Sequence, residues 1–273
     1  MTNFQAFILG LVEGLTEFLP VSSTGHLILT KAIMGLGTEV DHYLVTIQLG
    51  ATLAVALFYR IQVISLFQGL TGTNKSGRKL LINLLIAFCP AVVFGLALSN
   101  LIERHFFNPT TVAIALMLGG VIMIAAEKHL QKKGPRLDSL DDLNWKDALT
   151  IGFGQCAALW PGMSRSMSTI VTAQLRGCSN KLAADFSFLL ALPTIGAATC
   201  YTLVKSILKE QSQTIPTGVS VTELPFWIGM LTSFTVGWLA VAGFLSILKK
   251  YGMSPFGYYR IVLGIVTLVY FWG

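Results

Sequence analysis

The chain has 273 residues, 53% of them hydrophobic and only 12% charged, with a mean hydropathy of +0.69. A soluble domain carries about 25% charged residues; half that cannot cover a water-facing surface, which excludes a soluble enzyme and a disordered chain. The net charge of +6 lies in links between apolar runs, where basic residues set membrane topology rather than bind nucleic acid.

One integral membrane domain over 1–273 is therefore expected. The start of the chain has no basic leader region and no small-residue cleavage pattern, so Met1 onward is expected to be retained. Cys89, Cys156, Cys178 and Cys200 lack CxxC or Cys/His metal spacing and read as buried thiols.

Crossing a bilayer core of about 30 Å takes roughly 20 helical residues. In chain order, the apolar segments run over 4–19, 21–34, 43–60, 80–99, 110–126, 148–160, 165–177, 185–204, 226–248 and 256–272. Segment 4–19 carries Glu13 and Glu17 four residues apart, on one helical face. An ionised carboxylate at membrane depth costs at least about 2.5–3.5 kcal/mol. The pair therefore either faces a wet cavity, as a cation site or base, or lies on an interfacial helix in water.

The turn to 21–34 reads Leu19-Pro20-Val21-Ser22-Ser23-Thr24-Gly25, followed by His26. A lone histidine in an apolar stretch usually serves structure, but three hydroxyls and two carboxylates close to this one put a catalytic role on an equal footing, although Ser22 and Thr24 also suit a helix cap. Asp41 and Asp185 open their spans and read as N-terminal caps.

Segments 148–160 and 165–177 repeat the pattern of two short helices broken by a turn, here Trp160-Pro161-Gly162-Met163-Ser164-Arg165-Ser166. Arginine at a helix start makes an anion site, and its fork can grip phosphate twice. Thr169 lies one turn on and adds a hydroxyl. The alternative role for Arg165 is to neutralise Glu13 or Glu17. Arg260 is expected near the cytoplasmic face, snorkelling. Trp227, Trp238, Tyr270 and Trp272 read as interface anchors or packing residues.

Non-helical backbone at membrane depth is tolerated only where protein or a wet cavity surrounds it. The two short pairs thus read as re-entrant helical hairpins beside six transmembrane helices, an all-α polytopic fold. Basic links at 60–79, 127–147 and 249–250 are placed in the cytoplasm. Only Lys31, Arg104, Lys205 and Lys209 fall in links placed outside. The first hairpin then enters from outside and the second from inside. Two halves of about 1–127 and 148–273 follow, an inverted-topology repeat around a cytoplasmic linker 128–147, with both termini outside. Such repeats place a polar site near the midplane.

Glu13-Gly-Leu-Thr-Glu17-Phe-Leu-Pro-Val-Ser-Ser-Thr-Gly-His26 and Pro161-Gly-Met-Ser-Arg-Ser166 resemble the two signature motifs of the undecaprenyl-diphosphatase family, the bacitracin-resistance type of integral membrane phosphatase. The resemblance extends over nearly the whole chain, through Ile47-Gln-Leu-Gly-Ala51, Asp185-Phe-Ser-Phe-Leu-Leu-Ala191 and Tyr259-Arg-Ile-Val-Leu-Gly264. Met167 stands where that family usually has glycine. The resemblance implies six spans with two re-entrant hairpins in the bacterial cytoplasmic (inner) membrane. It implies removal of the terminal phosphate from a polyprenyl diphosphate, recycling the lipid carrier for peptidoglycan synthesis and conferring bacitracin resistance. A divalent cation, Mg²⁺ or Ca²⁺, goes with that activity, and the family's functional positions map to Glu13, Glu17, Ser23, His26 and Arg165.

On this reading Glu17, Ser23, His26 and Arg165 are catalytic, with Ser23 as nucleophile or nucleophile-positioning group and His26 or Glu17 as its base. Direct attack by water or His26 stays open. Ser22, Thr24, Ser164, Arg165, Ser166 and Thr169 bind phosphate, and Glu13 and Glu17 hold the metal. Partners are the lipid substrate and membrane lipids; a homo-oligomer is left open. The rival class is a secondary transporter or lipid-phosphate flippase of the same architecture.

Overall fold

A computed structural model of the protein describes residues 1–130, 134–210 and 222–272. Among these the fold is all-helical, with a single isolated bridge between Leu137 and Cys178. The helices are α1 (Asn3–Thr16), α2 (Ser23–Ile33), α3 (Asp41–Phe58), α4 (Arg60–Leu70), α5 (Lys75–His105), α6 (Pro109–Leu130), α7 (Trp145–Gln155), α8 (Arg165–Leu175), α9 (Asn180–Glu210), α10 (Leu224–Tyr251) and α11 (Ser254–Trp272). Six of the described helices, α3, α5, α6, α9, α10 and α11, contain stretches long and apolar enough to cross a membrane, as expected. The basic residues Lys132 and Lys133 and terminal Gly273 lie outside the described residues, as does most of the link at 205–225.

The short helices start on local capping signals. Thr2 accepts from the Gln5 N–H at 3.2 Å while the Gln5 side chain accepts from the Thr2 N–H at 2.8 Å, a reciprocal box that opens α1. Asn144 and Asp147 do the same for α7. The link at 60–79 is more ordered than its polarity suggests, since α4 packs on α5 there, with Gly69 and Gly77 at the crossing.

Burial separates an inner from an outer layer. Half or more of the spanning stretches of α3 and α9 is buried (50% and 61%), against 28% for α5, α10 and α11. The outer helices present Leu96, Leu101, Leu231, Leu239, Val262 and Val269 on an apolar surface suited to lipid. Small residues bring the helices together. A side chain at Gly10 of α1 would meet the Gly229 carbonyl of α10 at 2.5 Å, and one at Gly152 of α7 would meet the Ala87 carbonyl of α5 at the same distance. On the α6–α11 contact, Gly120 faces Gly257 and Gly264 faces Ala113.

Several expectations are corrected. Arg260 does not snorkel: it is wholly buried and donates to the carbonyls of Pro20, Ala115, Leu116 and Gly162 at 2.9–3.2 Å. Asp41 caps nothing but pairs with Lys31 at 2.6 Å. Asp185 lies inside α9 and accepts from the Tyr59 hydroxyl at 2.6 Å. Cys178 is buried as expected, but Cys89 and Cys200 are exposed on helix surfaces. An exposed position on a membrane helix meets lipid, which suits a thiol as well as the protein interior does.

Candidate active site

The turns between α1 and α2 and between α7 and α8 come together inside the bundle. Each ends on a serine with positive φ, Ser22 at 70° and Ser164 at 71°, the only non-glycine residues in that region among those described. A non-glycine residue held there costs on the order of 1–3 kcal/mol and persists only where its surroundings enforce it. Each serine also caps the helix that follows. The Ser22 hydroxyl accepts from the Gly25 N–H, and the Ser164 hydroxyl from the Met167 N–H, both at 3.3 Å.

The two helix starts border one cavity of about 200 Å³. Glu17, Ser22, Ser23 and Thr24 line it from the first turn and α2, Ser164 and Arg165 from the second turn and α8, and Gln48 and Thr194 from α3 and α9. Two helix N-termini at one polar space favour an anion.

Glu17 is the hub. One carboxylate oxygen accepts from the Ser23 hydroxyl at 2.5 Å, and the other from the Arg165 Nη2 at 3.1 Å. Arg165 also donates to the Ser187 carbonyl at 3.2 Å, and its guanidinium lies 5.4 Å from the Phe18 ring. Its buried Nε has no partner. The ion pair is the neutralising contact expected as the alternative role of Arg165.

Glu13 is fully buried one turn before Glu17, off the cavity wall, and neither of its carboxylate oxygens has a partner. An orphaned buried carboxylate beside a second one fits a cation. Among the described residues no group of three or more His, Cys, Asp or Glu gathers to hold one. Glu17 on the cavity wall, with Glu13 behind it, would be the carboxylates available to a divalent cation, which takes oxygen ligands.

The remaining predicted residues divide between wall and support. Ser22, Thr24 and Ser164 are on the wall. Ser166 and Thr169 are not: they are buried behind it. The Ser166 hydroxyl donates to the Leu19 carbonyl at 2.9 Å, tying the two turns together, and Thr169 meets the Ser187 hydroxyl at 2.5 Å. Through these bonds the two hydroxyls support the turn and the Ser187 residue whose carbonyl holds Arg165. Met167 is buried with its side chain toward Gly119, so its bulk stays out of the cavity.

His26 also lies off the wall. Its Nδ1 bonds the Ser22 carbonyl at 2.8 Å and its Nε2 the Tyr259 hydroxyl at 2.7 Å, with the rings stacked. A carbonyl only accepts, so Nδ1 carries the proton and Nε2 accepts from Tyr259. Both nitrogens are occupied, and neither touches Ser23.

Sequence reading missed Gln48, Thr194, Ser187, Tyr259 and Arg260. Gln48 was visible as a lone amide within an apolar span. Arg260 holds a carbonyl from each turn, Pro20 and Gly162, against α6, and Gly119 supplies the room its guanidinium needs.

Residues 6–266 match the family described as Bacitracin resistance protein BacA. A relative from Sorangium cellulosum, named undecaprenyl-diphosphatase, is 46% identical over 97% of this chain and 85% of its own length. One of the same name from Ectopseudomonas mendocina is 46% identical over 97% of this chain and 92% of its own. An undecaprenyl-diphosphatase 1 from Pseudomonas fluorescens is 44% identical over 98% and 93%.

Proposed function

This chain belongs to the family of bacitracin resistance protein BacA, and from that premise we propose that the Glu17–Ser23–Arg165 cluster is its phosphatase centre. The reaction is dephosphorylation of undecaprenyl diphosphate to the monophosphate, which recycles the lipid carrier, and the relatives at 44–46% identity carry the name of that activity. The protein is a multi-pass membrane enzyme.

The observation that carries the mechanism is the 2.5 Å bond from Ser23 to Glu17. Ser23 Oγ attacks the terminal phosphorus while its proton passes to the Glu17 carboxylate. The bond from phosphorus to the bridging oxygen breaks, and the lipid monophosphate leaves. The leaving monophosphate takes that proton from Glu17; water, deprotonated by the freed carboxylate, then attacks phosphorus, and the proton passes to Ser23 Oγ as inorganic phosphate leaves. Arg165 turns its free donors to the phosphoryl oxygens, together with N–H groups at the starts of α2 and α8, and stabilises the charge they carry in the transition state. Mg²⁺ or Ca²⁺ held by Glu13 and Glu17 would supply further charge neutralisation. His26 positions the first turn through Ser22.

Purified protein in detergent should release phosphate from the C55 diphosphate, lose that activity in EDTA, and regain it on adding Mg²⁺ or Ca²⁺. Release unaffected by EDTA would remove the cation. A folded protein that binds the lipid but releases nothing would favour the transporter class.

The finer architecture belongs to the same reading. Helices α1, α2, α7 and α8 have only 11–14 residues, about 16–21 Å at 1.5 Å per residue, too short to cross a core of about 30 Å alone. Ser22 and Ser164, Gly10 and Gly152, and Ala87 and Gly229 are each 142 positions apart, so the α1–α10 crossing exchanges with the α7–α5 crossing. This supports two re-entrant hairpins and halves of about 1–127 and 148–273, while the basic links at 60–79 and 127–147, read as cytoplasmic, favour a site open to the outer face of the cytoplasmic membrane. In a background lacking the four native cysteines, Thr2→Cys should react with an impermeant thiol reagent on intact cells, and Ser76→Cys only after the membrane is opened. Labelling of Thr2→Cys only after permeabilisation would end the model of hairpins entering from opposite faces.

A further inference from the structure

A second cavity, of about 320 Å³, adjoins the first and shares Thr24, Ala158 and Pro161 with it. Its far side is Gly95, Ser99 and Ile102 of α5, with Phe107 beyond the helix end. We propose that this groove receives the first isoprene units of the substrate and is the route by which its chain leaves the catalytic cavity for the bilayer. The proposal rests on the phosphatase reading above.

The connectivity of the substrate demands such a route. A diphosphate seated between Ser23 and Arg165 is bonded to a hydrocarbon chain, so the opening must be contiguous with the polar cavity, mainly apolar, and exposed on the lipid-facing side. The groove meets all three conditions. Leu159 approaches Gly95, where an added side chain would lie 3.3 Å from its Cδ2; glycine there keeps the passage between α5 and the second turn open. Phe107 is 60% exposed, and Leu96 and Leu101 continue the apolar surface around the groove. The larger cavity, about 680 Å³, fails these conditions. Glu127, Asp138, Lys181 and Lys249 border it, and it shares no wall residue with the catalytic cavity.

Lipid tails are as apolar as leucine, so moving the chain from bilayer to groove yields little hydrophobic gain. The groove therefore acts by shape. Filling it should exclude the chain and weaken binding without slowing the chemical step once substrate is seated.

The test compares Ser99→Trp, which fills the groove, with Leu231→Trp, also exposed but on α10 away from the groove, using farnesyl diphosphate and the C55 diphosphate. Ser99→Trp should raise KM about tenfold with kcat within about twofold, the signature of lost binding common to ground and transition states; Leu231→Trp should change neither. As a second measurement, Ser99→Cys in the background lacking native cysteines should be protected from N-ethylmaleimide by farnesyl diphosphate in EDTA, while Leu231→Cys should not. Unchanged KM in a folded Ser99→Trp enzyme, or no protection of Ser99→Cys, overturns the groove assignment. Absence of phosphatase activity in the unaltered protein overturns the reading beneath it instead.

Discussion

Arg165→Ala is expected to lower phosphate release by about 10²–10³, the usual loss when one preorganised charge-stabilising donor is removed from a water-excluded site. Two of its contacts set this size. Its Nη2 holds Glu17 at 3.1 Å and its Nη1 the Ser187 carbonyl at 3.2 Å, so the guanidinium is fixed in place at the wall of the cavity before a phosphoryl group arrives. Truncation also leaves Glu17 without its cation, and breaking one side of a buried pair typically costs about 3–5 kcal/mol of stability. Arg165→Lys separates the two effects. It keeps a positive charge for Glu17 and the fold, but loses the planar fork. Phosphate release measured beside a thermal melt should show Arg165→Lys folded yet impaired. A folded Arg165→Ala protein turning over at the unaltered rate would refute the anion site.

Glu17→Gln should cost about 10²–10⁴ in turnover, the contribution of a positioned general base. The amide keeps the size of the side chain and can still bond Ser23, so the helix ends should stay in place, but it cannot take the serine proton. His42→Ala is the matched control. His42 sits in the first turn of α3 and makes no contact with Glu17, Ser23 or Arg165. Its kcat and KM should stay within about twofold of the unaltered enzyme. If His42→Ala is inactive and Glu17→Gln is not, the site lies elsewhere.

In the proposed mechanism the chemistry is divided between the turns, the first side supplying the carboxylates and the nucleophile and the second the guanidinium. At the position 142 residues after Glu13 stands Gln155, a neutral amide whose buried Nε2 has no partner. Two similar turns thus carry opposite charge, and only together do they suit a phosphoryl group.

Local sequence properties determined the membrane class, the six spanning stretches and the four short helices, because each depends on hydrophobic length and on breaks such as Pro20 and Pro161. Glu17, Ser23 and Arg165 were legible for the same reason: charge and clustered hydroxyls are costly in apolar surroundings and therefore conspicuous. Direction was not legible. Ser164, Arg165, Ser166 and Thr169 share a few residues of chain, yet Ser166 is rotated about 100° from Arg165 and turns away from the cavity, while Thr169, on the same face, lies one turn or about 6 Å further along the helix, behind the wall. Gln48 and Thr194 look like ordinary polar residues within helices until α3 and α9 pack beside the turns. Arg260 had the sequence of a snorkelling side chain, and only the convergence of carbonyls from Pro20, Ala115, Leu116 and Gly162 makes a buried guanidinium tenable. His26, conspicuous beside the hydroxyls, was turned toward Tyr259 by α11, more than two hundred residues away. Such contacts bring together residues distant in the chain, and no local pattern encodes which carbonyl, hydroxyl or cation will stand opposite a given side chain.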